Sequence, residues 1–204
     1  MADITFPSFS AGVVETLRWR VIAPAQQFRS PLDGTVQTGD TQGPRWGAML
    51  QLRTLEEADA VLVQAFIVKL RGKANRALIH NFGRPVPRGT ISTSGVTVDG
   101  AVSAGATQLS LAGCGNGGTL FTGDFFGVGD QLLMAVDGPY TADGSGNMAN
   151  VAFEHPLRAA VIHASSVTLA APTCRMMLAG DDLDWLVHAP VLTDISLEFE
   201  EAFS

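Results

Sequence analysis

Glycine is concentrated in one part of this sequence, since residues 89–173 contain 14 of the 22 glycines. Between the glycines lie short runs of branched and apolar residues, at roughly the 8–12-residue spacing that is typical of β-sandwiches and barrels. Glycine also weakens helices strongly. We therefore expect this segment to form about five or six short strands, folded as a small β-barrel or sandwich.

Strands are also predicted towards both ends of the chain. Apolar and polar residues alternate in TLRWRVIA, PRWGAMLQLR and DISLEFEEAF, and RALIHNF and CRMMLAG are two further strand candidates. Alternation places one side of a strand against a core and the other in solvent. In the last strand, we expect Ile195, Leu197 and Phe199 to point inwards.

One segment has a helical period instead. We predict a helix over about 54–71, beginning with a capping box in which Thr54 and Glu57 satisfy free backbone N–H groups. Lys69 and Arg71 occupy its last turn, and Gly72 would close it. The side chains expected to face the core are Ala58, Leu62, Phe66 and Ile67.

The charge balance divides the chain into three segments. Residues 1–88 have a net charge of +4, residues 89–173 of −5 and residues 174–204 of −6. Pro85 and Pro87 favour an extended connector at the first boundary. Because the basic first segment and the acidic last segment complement each other, we expect one discontinuous domain, 1–88 and 174–204, interrupted by residues 89–173. The predicted fold class is mainly β (β-rich α+β).

The overall composition disfavours several classes of function. The net charge of −7 argues against nucleic acid as the main partner, because neutralising phosphates requires a basic surface. We find no signal peptide and no apolar run long enough to cross a membrane, so we expect synthesis in a cytoplasm. Only 16% of the residues are charged. This fits a subunit that buries surface in an assembly.

The stretch GTLFTGDFFGVGDQLLMAV (118–136) superficially suggests a phosphate-binding loop. A P-loop needs a lysine and a hydroxyl residue after its last glycine, whereas here Asp124 follows Gly123 and residues 89–173 contain no lysine. A Rossmann turn needs a helix next, but a strand pattern follows. We therefore predict a β-hairpin, with core candidates Leu120, Phe126, Leu132 and Met134.

The other candidate sites for chemistry are weak. Asp143, Ser145 and Asn147 loosely resemble a calcium loop, but the glycine and terminal acid are misplaced, so a glycine-rich hairpin loop between two strands is the better interpretation. Glu154 and His155 are adjacent on a strand end and should point to opposite faces. Two cysteines without metal-ligand spacing indicate unpaired thiols. We expect no enzyme activity, no cofactor and no metal.

Residues 28–50 contain the candidates for a binding interface. Arg29, Arg45 and Trp46 are of the types that dominate interface hot spots, and the segment is rich in glycine and poor in acids. It is either an arm that contacts a neighbouring molecule or a hairpin that closes on its own core. The sequence leaves both alternatives open.

A family resemblance covers nearly the whole chain. FRSPLDGTVQTGDTQGPRWGAMLQLRTL, the helix ending in KLRG, ALIHNFGRPVPRGT, GATQLSLAG, GTLFTGDFFGVGDQLLMAV and the final ISLEFEEAF resemble the small distal tail proteins of long, non-contractile-tailed bacteriophages. The resemblance implies a β-sandwich-like, ring-forming domain with one helix (1–88 and 174–204). It also implies a peripheral OB-like or carbohydrate-binding module (89–173).

The resemblance further implies partners and a location. Members form rings, typically of six copies, at the tip of the tail in the virion. The ring joins the tail tube protein to the baseplate hub protein and anchors fibre or side proteins, and DNA is only passing cargo. The alternative function is a carbohydrate-binding module that recognises host surface glycans. Aromatic residues suited to stacking on sugars are scarce in 89–173, which contains no tryptophan.

Overall fold

The computed structural model describes residues 1–8, 14–40, 43–181, 186–188 and 192–203. The described chain is mainly β, as predicted, with one α-helix and several sheets, and its strands close no barrel. In chain order the elements are β1 (Asp3–Thr5), β2 (Val14–Ile22), β3 (Ala25–Arg29), β4 (Val36–Asp40), β5 (Arg45–Leu55), α1 (Glu57–Leu70), β6 (Arg76–His80), β7 (Thr97–Asp99), β8 (Gln108–Ala112), β9 (Thr119–Leu120), β10 (Phe125–Val128), β11 (Gln131–Met134), β12 (Tyr140–Thr141), β13 (Met148–Ala152), β14 (Val167–Thr168), β15 (Thr173–Leu178), β16 (Leu186–His188) and β17 (Leu192–Glu201).

A seven-stranded sheet contains strands from both ends of the chain. Its order is β1-β6-β15-β17-β5-β2, and β16 pairs with β17 beside this path. The β1–β6 pair is parallel, and the other pairs are antiparallel. All five strands predicted outside residues 89–173 are present in this sheet. The division of the chain into domains stays a prediction.

The alternation predicted for the last strand is confirmed in β17. Ile195, Leu197 and Phe199 are buried, whereas Ser196 and Glu198 between them are exposed. This strand lies between β15 and β5 in the sheet. Its apolar side therefore faces the core from a central position, where burial contributes most.

The helix begins later than predicted. α1 spans Glu57–Leu70, its N-cap residue is Glu56, and no side chain caps it. The predicted capping box is wrong because β5 extends to Leu55, so the backbone of Thr54 is part of a strand. At the other end, Arg71 adopts a left-handed conformation, and its N–H donates to the Val68 carbonyl oxygen.

The buried side of α1 also differs from the prediction. The helix buries Ala60, Val63, Phe66, Ile67 and Leu70. Two of the four expected core residues, Phe66 and Ile67, are confirmed, whereas Ala58 and Leu62 are exposed. The apolar residues of this helix lie on several of its sides, so their spacing in the sequence does not identify which side faces the core.

Residues 89–173 form more and shorter strands than expected. The eight strands β7 to β14 belong to three small sheets, ordered β11-β10-β14, β12-β9 and β13-β8-β7. The predicted hairpin in 118–136 is confirmed, because β10 pairs with β11 and the two strands are joined by a two-residue turn, Gly129 and Asp130. Gly129 has a φ of 57°, a backbone conformation that favours glycine at this position of a tight hairpin.

Two hydrophobic cores are present, and the β10–β11 hairpin contributes to both. The first core lies between the large sheet and α1, and the second lies within residues 89–173. Phe125 and Leu132 belong to the first core, whereas Phe126 and Leu133 belong to the second. Leu120 and Phe126 are core residues of the inserted segment as predicted. Leu132 and Met134 pack against the first core instead, because alternate residues of a strand point to opposite faces.

Candidate interaction surface

The hairpin formed by β3 and β4 is exposed along its length, and we call residues 25–40 the arm. The two strands form a separate two-stranded sheet, with Ala25 opposite Asp40 at the base and Arg29 opposite Val36 near the tip. Every residue of β3 is exposed. Of the two alternatives for residues 28–50, the arm portion therefore does not close on a core of its own chain.

Exposed apolar side chains are distributed along the arm. Phe28 is 64% exposed, Leu32 at the tip is 96% exposed, and Val36 is 52% exposed. Register places Phe28 and Val36 on opposite faces of the two strands. A two-stranded hairpin is only marginally stable by itself in water. The arm therefore presents apolar groups on both faces without a core to cover them.

The tip of the arm is held by Asp33. Its Oδ1 accepts hydrogen bonds from the Thr35 N–H at 3.1 Å and the Thr35 hydroxyl at 2.8 Å. Hydrogen bonds from Ser30 and Thr35 lower the pKa of Asp33 to about 2. Backbone bonds between Ser30 and Thr35 and between Gly34 and Ser30 close the turn. This network presents Leu32 on a preorganised loop.

The predicted interface residues occupy different environments. Arg29 is exposed near the tip of the arm. Arg45 and Trp46 begin β5, and Trp46 is only 4% exposed. The Trp46 indole Nε1 donates to the Leu132 carbonyl oxygen at 2.9 Å. The structure thus keeps Arg45 and Trp46 adjacent, separates Arg29 from them, and places Trp46 in the core of its own chain.

A groove of about 390 Å³ lies at the base of the arm. It is lined by Val21, Ala23, Pro44, Trp46, Met134, Val136, Glu154 and His155. His155 is buried and Glu154 exposed, but both line the groove and both follow the end of β13 at Ala152, so they are not the strand residues with opposite faces that the sequence predicted. The His155 ring packs 4.4 Å from Trp46, and burial lowers the pKa of His155. Within the described residues, the groove shows no catalytic pair.

A buried carboxylate joins the base of the arm to the rest of the chain. The Trp46 N–H donates to Glu201 Oε2 at 2.9 Å, and Arg158 Nη1 lies 2.6 Å from Glu201 Oε1. The Arg158 guanidinium also lies 3.7 Å from the centre of the Phe203 ring. Sequence reasoning missed this cluster, because its residues are far apart in the chain and form no motif.

The glycine-rich stretch at 118–124 contacts the connector 84–90, and it contains no lysine that could bind a phosphate. The Asp124 carboxylate is buried and accepts from Arg88 Nε at 3.0 Å and from the Phe121 N–H at 2.9 Å. A Cβ on Gly89 would lie 1.9 Å from the Thr119 carbonyl oxygen, so only glycine fits there. These contacts fix the connector 84–90 against the inserted segment.

The loop at 142–150 is closed by its own aspartate. Asp143 Oδ1 accepts from the N–H groups of Ser145 at 2.8 Å and Asn147 at 2.9 Å. Across the described residues, no group of three or more histidine, cysteine or acidic side chains is arranged to hold a metal ion. The loop connects β12 and β13, which belong to different sheets, so it is not a simple hairpin turn.

Most aromatic rings of residues 89–173 are packed inside the protein. Phe125, Phe126 and Phe153 are buried, and the Tyr140 hydroxyl donates to the Val136 carbonyl oxygen. Phe121 is 37% exposed and lies beside Arg88. No observation on this segment singles out a surface for stacking on sugars.

No protein-family model matches the chain, and no curated protein matches it. Among the described residues, no helix has the length and apolar character needed to cross a membrane.

Proposed function

We propose that this protein is a structural subunit of a ring at the distal tip of a long, non-contractile bacteriophage tail. The observation that carries the proposal is the exposed arm. It extends apolar side chains into solvent in the isolated chain, as a segment does when its partner is another molecule. The resemblance of the sequence to distal tail proteins supplies the kind of assembly.

The charge distribution also supports an assembly subunit. Arg20 in β2 lies 2.8 Å from Glu198 and 3.7 Å from Glu200 in β17, so part of the basic first segment pairs with the acidic tail inside one chain. Arg29 near the tip of the arm is exposed, so its charge can pair with an acidic group on a neighbour. By the resemblance, the neighbours are further copies of the chain, a tail tube protein and a hub protein, in the virion.

Electron microscopy of the purified chain tests the proposal. Rings of uniform diameter, six-fold by the resemblance, are the expected result at high protein concentration. A parallel glycan-array measurement tests the alternative function, carbohydrate binding by residues 89–173. Single particles without rings at every concentration, together with saturable binding to defined glycans, would replace the ring proposal with the carbohydrate-binding one.

A further inference from the structure

Helix α1 has a second apolar side that the described residues of the chain leave exposed. Opposite its buried residues lie five exposed apolar ones, which we call the outer helix face: Ala58, Val61, Leu62, Ala65 and Val68. Val68 is 66% exposed, Val61 55% and Leu62 48%. Their spacing places them on one stripe of the helix.

Such a stripe is unusual on a surface helix. The outer side of a helix in a monomeric protein normally carries charged and polar residues, and a helix that is apolar all round is normally buried. Contiguous exposed apolar surface of this kind marks a contact site for another macromolecule. The outer helix face is therefore expected to be covered when the protein functions.

The arm has the properties of the missing cover. Phe28, Leu32 and Val36 are exposed in the same chain in which Val61 and Leu62 are exposed, so the arm does not cover its own helix. Both surfaces are apolar and exposed, and each can be buried against the other. Laying the arm face that carries Val36, together with Leu32 at the tip, on the outer helix face removes apolar surface of both copies from water.

One charge of the arm complements the helix. The first turn of α1 carries Glu57 and Asp59. Arg29 lies opposite Val36 in the arm and is therefore on the same face as Val36. An arm that lays this face along the helix with Arg29 towards the acidic first turn pairs opposite charges, which favours one orientation.

We propose that the outer helix face binds the arm of a second copy of this chain. The contact is head-to-tail, because a different surface is used on each copy, and such contacts close into a ring when the rotation between copies fits. This inference rests on the proposed ring function and specifies which two surfaces meet. Pairing of two helix faces, or binding of a different protein to the helix, are the competing outcomes.

Mixing two single-surface variants tests the inference. Leu62→Asp disables the helix face but leaves the arm intact, and Val36→Asp disables the arm face that also carries Arg29 but leaves the helix face intact. Each variant alone should stay monomeric at concentrations at which the unmodified chain assembles. Loss of an interface hot spot should raise the protein concentration needed for half-assembly by about tenfold or more. A one-to-one mixture should form a heterodimer, because one intact arm meets one intact helix face.

The control is Ile162→Asp, which introduces the same charge at another exposed apolar residue, 75% exposed in the inserted segment. It should assemble as the unmodified chain does. Circular dichroism should show the same fold for all three variants, since each site is exposed.

A disulfide formed between two copies provides a second readout. Chains carrying Leu32→Cys and chains carrying Leu62→Cys should form a covalent dimer on mild oxidation only when mixed. The native thiols should not compete, because both are buried, and burial raises the pKa of Cys114 to about 11 and holds the pKa of Cys174 well above its ordinary value.

The outcomes separate this inference from the ring proposal. If the unmodified chain forms rings but the mixture stays monomeric and no mixed disulfide forms, the ring proposal stands and the docking of the arm on the helix is wrong. Unchanged rings in both single variants would have the same meaning. If the unmodified chain is monomeric at all concentrations, both proposals are wrong.

Discussion

At the scale of the residue, two glutamates of β17 show how position decides the role of the same side chain. Glu201 is buried, and its carboxylate is satisfied by the Trp46 N–H and Arg158. Glu198 points to the other side and pairs with Arg20 in solvent. A buried carboxylate requires its partners, because an unpaired charge in a core is costly, whereas an exposed ion pair contributes little.

We therefore predict different costs for the two amide substitutions. Glu201→Gln should lower the free energy of unfolding by about 2–3 kcal/mol, because it leaves Arg158 without its counter-charge in a partly buried site. Glu198→Gln should lower it by less than about 1 kcal/mol, as for an exposed pair. Urea denaturation of both variants measures the difference. Equal effects would show that the buried pair does not stabilise the chain.

The stability of the tip of the arm should depend on pH through the ionisation of Asp33. Its pKa in the folded chain, about 2, lies below the ordinary value of 3.8. The charged form therefore stabilises the tip above about pH 4, and this contribution is lost as the pH falls through about 2. Nuclear magnetic resonance titration of the Asp33 carboxyl carbon checks the value. A midpoint near 4 would mean that the hydrogen-bonded turn does not form.

At the scale of the element, the β10–β11 hairpin links the two cores. Phe125 packs against Trp19 and Trp46, whereas its neighbour Phe126 packs against Phe153. A strand whose alternate side chains lie in two cores couples the stability of those cores. If one core unfolds, the strand is displaced from the other core as well.

This coupling predicts cooperative unfolding. Phe125→Ala and Phe126→Ala should each destabilise the chain by about 3–5 kcal/mol, as for a large aromatic side chain in a core. Both should lower the midpoint of one shared transition in calorimetry. Two transitions, each shifted by only one of the variants, would show instead that the two cores unfold independently.

The elements also show what the sequence could predict. Strands such as β17 were predictable because alternating burial leaves a period of two in the residues. The helix was predictable in type but not in its buried side, because Val61 and Leu62 are as apolar as Val63 and Phe66. The start of the helix was missed because β5 continues to within two residues of it.

The candidate site was less predictable than the fold. Arg29 was identified by residue type, and the structure does place it on the exposed arm. Trp46 belongs to the same class of hot-spot residue, yet it is buried, because it lies in the part of the segment that continues into β5. The outer helix face carries no sequence motif, and it can be identified only once the buried side of α1 is known.

At the scale of the whole molecule, the chain packs two hydrophobic cores but leaves apolar side chains exposed on its surface. Two cores hold the sheet, the helix and the inserted segment together. Among the described residues, the arm and the outer helix face remain as exposed apolar surfaces. An assembly subunit has this combination, because the contacts it lacks are supplied by its neighbours.

Removal of the arm tests whether the arm is needed for assembly of the ring. Because Gln26 pairs with Gly39, residues 27–38 can be replaced by Asn-Gly, which closes a two-residue hairpin on the remaining strands. Light scattering then compares the mass of the full chain, 21.4 kDa per copy, with that of the shortened one. We predict a ring-sized multiple of that mass for the full chain and a folded monomer for the shortened chain. A full chain that stays monomeric at every concentration, or a shortened chain that still forms the ring, would contradict the account.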